Sequence, residues 1–147
     1  MTLRAGSGLS VSGDPVEAAL EASLTPMERL GADRADLTLV FSSPSVFPSG
    51  HELLHAVRRV TGAPAVVGAS GVGVLTDRRE VESIGAAGAV DPRQATVAVL
   101  AVRSDEHLFV PFLVDETEGL GASAGRVAAA RLAGAAARAL IALPPPP

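Results

Sequence analysis

The sequence predicts an α/β fold: a mixed β-sheet with a parallel strand–helix–strand core, antiparallel hairpin additions and flanking helices. Three observations predict it. "DLTLVF" (36–41) and "APAVVG" (63–68) are short, apolar, β-branched runs of the kind that buried strands use. "HELLHAVRRVTG" (51–62) between them has helical spacing and a Gly stop. A strand–helix–strand order over about 30 residues implies a crossover and parallel pairing. Finally, "IGAAGAV" (84–90), "ATVAVLAV" (95–102) and "HLFVPFLV" (107–114) read as strands joined by tight turns, hence two antiparallel hairpins.

The remaining elements follow in chain order. "DPVE" (14–17) combines an N-cap Asp14, Pro15 at the first helical position and Glu17 where a capping box closes. Val16, Leu20, Ser23, Leu24, Met27 and Leu30 then mark one helical face. Pro26 lacks an N–H and clashes one turn back. The pattern therefore predicts a helix over 15–24, then a kink or fresh turn ending near Gly31. "SSPSVFPSG" (42–50) is a loop, "GASGVGVLTDRREVE" (68–82) a Gly-rich loop running into charge, and 122–137 an Ala- and Arg-rich helix. "ALIAL" (139–143) starts another strand that four prolines end. The expected organisation is an α/β domain over 1–115 and an Ala-rich helical tail over 116–147 ending in the Pro run.

Composition narrows the function classes. The chain has 147 residues, 48% of them hydrophobic, which is enough for one core. A net charge of −4, with no Trp or Tyr, offers neither phosphate attraction nor stacking platforms, so nucleic acid is not an expected partner. The absence of Cys excludes disulfides and thiolate metal sites. No uncharged run reaches the roughly 18 residues of a membrane span, so a cytoplasmic protein without membrane contact is expected. No cofactor is expected. Every basic residue is Arg, a skew that points to a GC-rich genome rather than to a function.

His51, Glu52 and His55 spell H-E-x-x-H, the helical signature of zinc metallopeptidases. An ordinary helix also accounts for each residue. Ser49 and Glu52 form a capping box, so losing Glu52 should cost about 1 kcal/mol. Leu53, Leu54, Ala56, Val57 and Val60 cluster on one side, with His51 and His55 opposite. A zinc site needs a third ligand, and the only other histidine, His107, lies in an expected strand. His51 and His55 therefore stand as metal ligands only in an alternative reading, a zinc metallopeptidase.

"GASGVGV" (68–74) lacks the last Gly of a nucleophile elbow, the spacing of a dinucleotide fingerprint and the Gly-Lys-Ser/Thr of a P-loop. What survives are glycines that let backbone N–H groups approach a ligand, with Ser70 as a donor. Loops leaving adjacent parallel strands share one edge of the sheet, where α/β proteins bind ligands. The expected site comprises Ser42, Ser43, Ser70, Gly71, Gly73, Arg79, Glu80 and Glu82. Hydroxyls, N–H groups and Arg79 suit a carboxylate, and Glu80 or Glu82 suits an ammonium. An amino acid or small carboxylate is the expected ligand.

The order of these signals resembles the N-terminal FIST domain of bacterial signal-transduction proteins, over about residues 9–115. In that family a strand runs into a G-C/A-S/T-x-x-G-V/E-I/L loop, which Gly68, Ala69, Ser70, Gly73, Val74 and Leu75 match. Arg79, Val81 and Glu82 match the stretch that follows, and "LSVSGDPVEAALEA" (9–22) is similar to the opening segment. The resemblance implies a sensory, non-enzymatic domain that binds small ligands such as amino acids, with no catalytic residues to carry over. Residues 116–147 show no clear match. The family continues into a second half, so the resemblance implies a fragment, a stand-alone remnant or a frame-shifted end. A missing C-terminal half or a homo-oligomer would then cover exposed surface. A ligand-free scaffold or oligomerisation module is the other alternative.

Overall fold

A computed structural model describes residues 2–71, 73–76, 80–82, 93–112 and 120–133. The chain divides into two compact units, one running to Val110 and one starting at Pro111. The first holds β1 (Leu3–Ser12), α1 (Pro15–Leu30), β2 (Leu37–Ser42), a 3-10 turn (Pro44–Ser49), α2 (Gly50–Thr61), β3 (Ala65–Ser70), β4 (Gly73–Leu75), β5 (Glu80–Glu82) and β6 (Ala95–Ser104). The second holds α3 (Leu120–Leu132). Among the described residues no helix is long and apolar enough to cross a membrane.

The main sheet has the order β1-β6-β2-β3. β2 and β3 run parallel, from Leu37↔Ala65 to Ser42↔Ser70, as the strand–helix–strand pattern requires. β6 lies antiparallel to both β1 and β2. α1 and α2 cover one face, where Ala18, Ala19 and Ala22 meet Val40, Leu53, Val57, Val97 and Val99. The other face carries Leu37, Leu39, Ala65 and Val102, with Phe41, Val67, Leu100 and Phe109 packed against them. Both faces are apolar, which is why β2 and β6 read as continuous hydrophobic runs rather than alternating ones.

β1 escapes the sequence reading because its helix-side face is Gly6, Gly8 and Ser10. Added Cβ atoms would lie 2.7 Å from the Pro26 carbonyl oxygen at Gly6 and 2.3 Å from that of Ala22 at Gly8. Only small residues fit under α1, and small residues carry no hydrophobic signal. The Ser10 hydroxyl instead donates to Glu21 at 2.6 Å.

α1 also corrects an expectation, for it runs unbroken through Pro26 to Leu30. The carbonyl that the missing Pro26 N–H would have served, that of Ala22, sits over Gly8, and the proline ring is fully buried against β1. Tertiary packing holds together a helix that Pro26 would otherwise end. Asp14 caps it, accepting from the N–H groups of Val16 at 2.7 Å and Glu17 at 3.1 Å. Glu17 closes the arrangement through Ser12, which donates to it at 2.5 Å and accepts from the Asp14 N–H at 3.2 Å. Gly31 and Gly62 end α1 and α2 with φ of 56° and 60°, left-handed values that favour glycine.

Three further expectations need correction. Ser49 makes no side-chain cap hydrogen bond, so it forms no capping box with Glu52. The preceding 3-10 turn holds Ser49 at ψ of 18° rather than in the extended conformation that aims a cap. Leu54, expected on the buried face of α2, is 45% exposed. Residues 107–112 form no strand. The Ser104 hydroxyl accepts from the N–H groups of Glu106 and His107, which turns the chain, and Phe109 folds back onto the sheet. β6 thus finds its partners far along the chain instead of in hairpins. The expected strands at 84–90 and 139–143, and the helix beyond residue 133, lie outside the described residues.

These end contacts predict opposite outcomes for two acidic residues at helix starts. Asp14→Ala should cost about 1 kcal/mol through loss of the cap. Glu52→Ala, like His51→Ala and His55→Ala, should stay within about 0.5 kcal/mol as an exposed substitution. Urea unfolding of the four variants checks both.

Candidate functional site

β2 and β3 end side by side, with Ser42 and Ser70 as their last pair in register. The chain turns immediately, and the Gly71 N–H donates to the Ser42 carbonyl at 2.9 Å. Strand alternation puts Ser42 on the side of Val40 and Ser70 on that of Val66, the helix-covered face. Both serines are half-buried, and neither hydroxyl has a hydrogen-bond partner among the described residues. The loop from β2 feeds α2, so the start of that helix belongs to the same end of the sheet. A helix start favours negative charge through its dipole.

Ser43 behaves differently from its neighbour. It is fully buried, and its backbone N–H donates to the Thr96 carbonyl at 2.9 Å. Its hydroxyl accepts from the Thr96 N–H at 3.0 Å and lies 2.7 Å from the Ser45 hydroxyl. Ser45 gives its own proton to the Gln94 carbonyl at 2.7 Å, which leaves Ser43 to donate to Ser45. The buried Ser43 hydroxyl is thereby engaged in tying the end of β2 to the start of β6.

The three loop glycines also separate. At Gly68 an added Cβ would lie 2.0 Å from the Val40 carbonyl oxygen, so close strand pairing demands glycine there. Gly71 and Gly73 have no positive φ; among the described residues an added Cβ would meet only the Gly73 oxygen at 3.6 Å from Gly71, and nothing within 4 Å from Gly73. Among the described residues neither packing nor conformation requires glycine at those two positions. β4 begins at Gly73 and pairs antiparallel with β5, setting Glu82 opposite Gly73 and Glu80 opposite Leu75. Arg79 lies outside the described residues.

The H-E-x-x-H residues sit elsewhere. His51, Glu52, His55 and Arg59 line a groove of about 270 Å3 with Val16 and Ala56, and none of Ser42, Ser70 and Gly71 contributes to it. Among the described residues no group of three or more His, Cys, Asp or Glu side chains could hold a metal ion. His107 lies after β6, with its Nδ1 2.9 Å from the Ser104 hydroxyl. The groove is a feature that helical spacing alone did not disclose, because its Val16 wall comes from α1.

A mixed sheet of four strands, two of them parallel, with helices on one face defines an α/β domain. A FIST N domain model matches residues 36–147, and the chain belongs to that family, a family of sensory domains in signal transduction. The match takes in residues 116–147, where no resemblance was expected, and leaves out 9–35, where one was. No curated protein matches the chain.

Proposed function

We propose that this FIST N domain is a non-enzymatic sensor that binds a small polar ligand where Ser42, Ser70 and Gly71 meet. The observation that carries the reading is a pair of hydroxyls in register, without partners among the described residues, beside glycines that no packing among those residues explains. Two hydroxyl donors and the positive end of the α2 dipole suit a carboxylate. Arg79, downstream of Gly73, supplies a bidentate partner for the same group. Glu80 or Glu82 accepts from an ammonium, which makes an amino acid or other small carboxylate the ligand class. Cytoplasmic location suits such a ligand.

A melting-temperature screen against amino acids and small carboxylates tests this, because a ligand that binds only the folded state raises its stability. A rise in the wild type that shrinks in Ser70→Val and Arg79→Ala is expected. No rise with any compound, or equal rises in all three proteins, would refute the site.

A further inference from the structure

The groove beside α2 plays no part in that ligand site, yet it collects side chains that nothing in the fold uses. His51, Glu52, His55 and Arg59 are all exposed. None has a hydrogen-bond or ion-pair partner among the described residues. With the capping box absent, Glu52 has no structural task there either. His51 and His55 are four apart in a continuous helix, a spacing that sets their Cβ atoms roughly 5–6 Å apart on one face. Two imidazoles at that separation can turn one ring nitrogen each onto a common ion.

We propose that His51 and His55 form a two-imidazole site for a divalent transition-metal ion, taking Cu2+ ahead of Ni2+ and Zn2+. Imidazole suits all three ions, and for a given donor set affinity peaks at copper. Zinc holds its protein sites with three or four donors, and no third donor joins this pair among the described residues. The site is therefore an open chelate facing solvent and not a peptidase centre. Arg59 lies one turn beyond His55 on the same groove and opposes a cation by simple repulsion. Glu52 adds a compensating negative charge.

The test is a Cu2+ titration of the tag-free full chain, followed by visible absorption and by electron paramagnetic resonance for coupled ring nitrogens. The expected result is one Cu2+ per chain with two imidazole nitrogens. Metal sites lose about 10–100-fold in affinity even when an outer partner is removed, so losing a direct donor should cost about tenfold or more. His51→Ala and His55→Ala should each show that loss. Both residues are exposed, so the variants should fold, as circular dichroism will verify. Arg59→Gln should tighten binding, and His107→Ala should leave it unchanged. Wild-type affinity in either single variant, loss of the signal in His107→Ala, or weaker binding in Arg59→Gln would each overturn the proposal.

Discussion

Gly68→Ala should destabilise the domain by about 3 kcal/mol, at the upper end of what overpacking costs. The added Cβ would stand 2.0 Å from the Val40 carbonyl oxygen, 2.9 Å from its carbon and 3.2 Å from the Val40 Cβ. These are mostly backbone atoms within a paired strand, so no side-chain rotation relieves the clash. β3 must move away from β2, and with it the Ser42–Ser70 register that the proposed site depends on. Gly73→Ala offers a contrast of sign. Its Cβ would meet nothing among the described residues, its φ is not positive, and the substitution narrows the unfolded ensemble. A gain of about 0.4–1 kcal/mol is the usual result in such a case. Urea unfolding of both variants decides the matter, and equal effects would show that the two glycines are interchangeable.

Ser43→Ala should cost about 1–3 kcal/mol, the penalty for leaving a buried donor without a partner. The change removes the acceptor of the Thr96 N–H, and Thr96 is itself fully buried at the end of β6's pairing with β2. Ser45 remains bonded to the Gln94 carbonyl at 2.7 Å. A lowered urea midpoint at unchanged slope would identify a local loss of stability without expansion of the native state. Paired with the ligand screen, the variant separates two roles that adjacent serines would otherwise share. Ser43→Ala should lower the melting temperature and retain the ligand-induced rise, whereas Ser70→Val should do the reverse.

What the sequence disclosed about this fold is what local chemistry encodes. The Asp14 cap, the glycine stops at 31 and 62, and the parallel β2–α2–β3 unit all rest on residues close together in the chain. The features that escaped it depend on contacts between distant segments. β1 is glycine- and serine-rich because α1 presses against it, and Pro26 stays within its helix because Gly8 leaves room. Neither fact is visible from one segment alone. The same holds for the site. Parallel pairing predicts that Ser42 and Ser70 meet, but alternation and the distant β6 decide that Ser43 turns inward. Ser49 shows the limit of a motif: the right residue at the right spacing forms no cap when the turn before it sets the wrong backbone angle.

The position of β6 between β1 and β2 also has a bearing on synthesis. During translation the chain emerges from its N-terminus, so β1 and α1 are exposed first, followed by β2, α2 and β3. The β2–α2–β3 unit can close from nearby residues, but β1 has no strand to pair with until its partner arrives. Leu3 pairs with Ser104 and Ser12 with Ala95, so the sheet waits for nearly the whole first unit to leave the ribosome. Pairings this remote in sequence fold slowly. Until they form, β1 is a strand with both edges open, the form of nascent chain most exposed to wrong partners. Its glycines and serines give such partners little to hold, so the composition that lets α1 pack closely also protects the waiting strand.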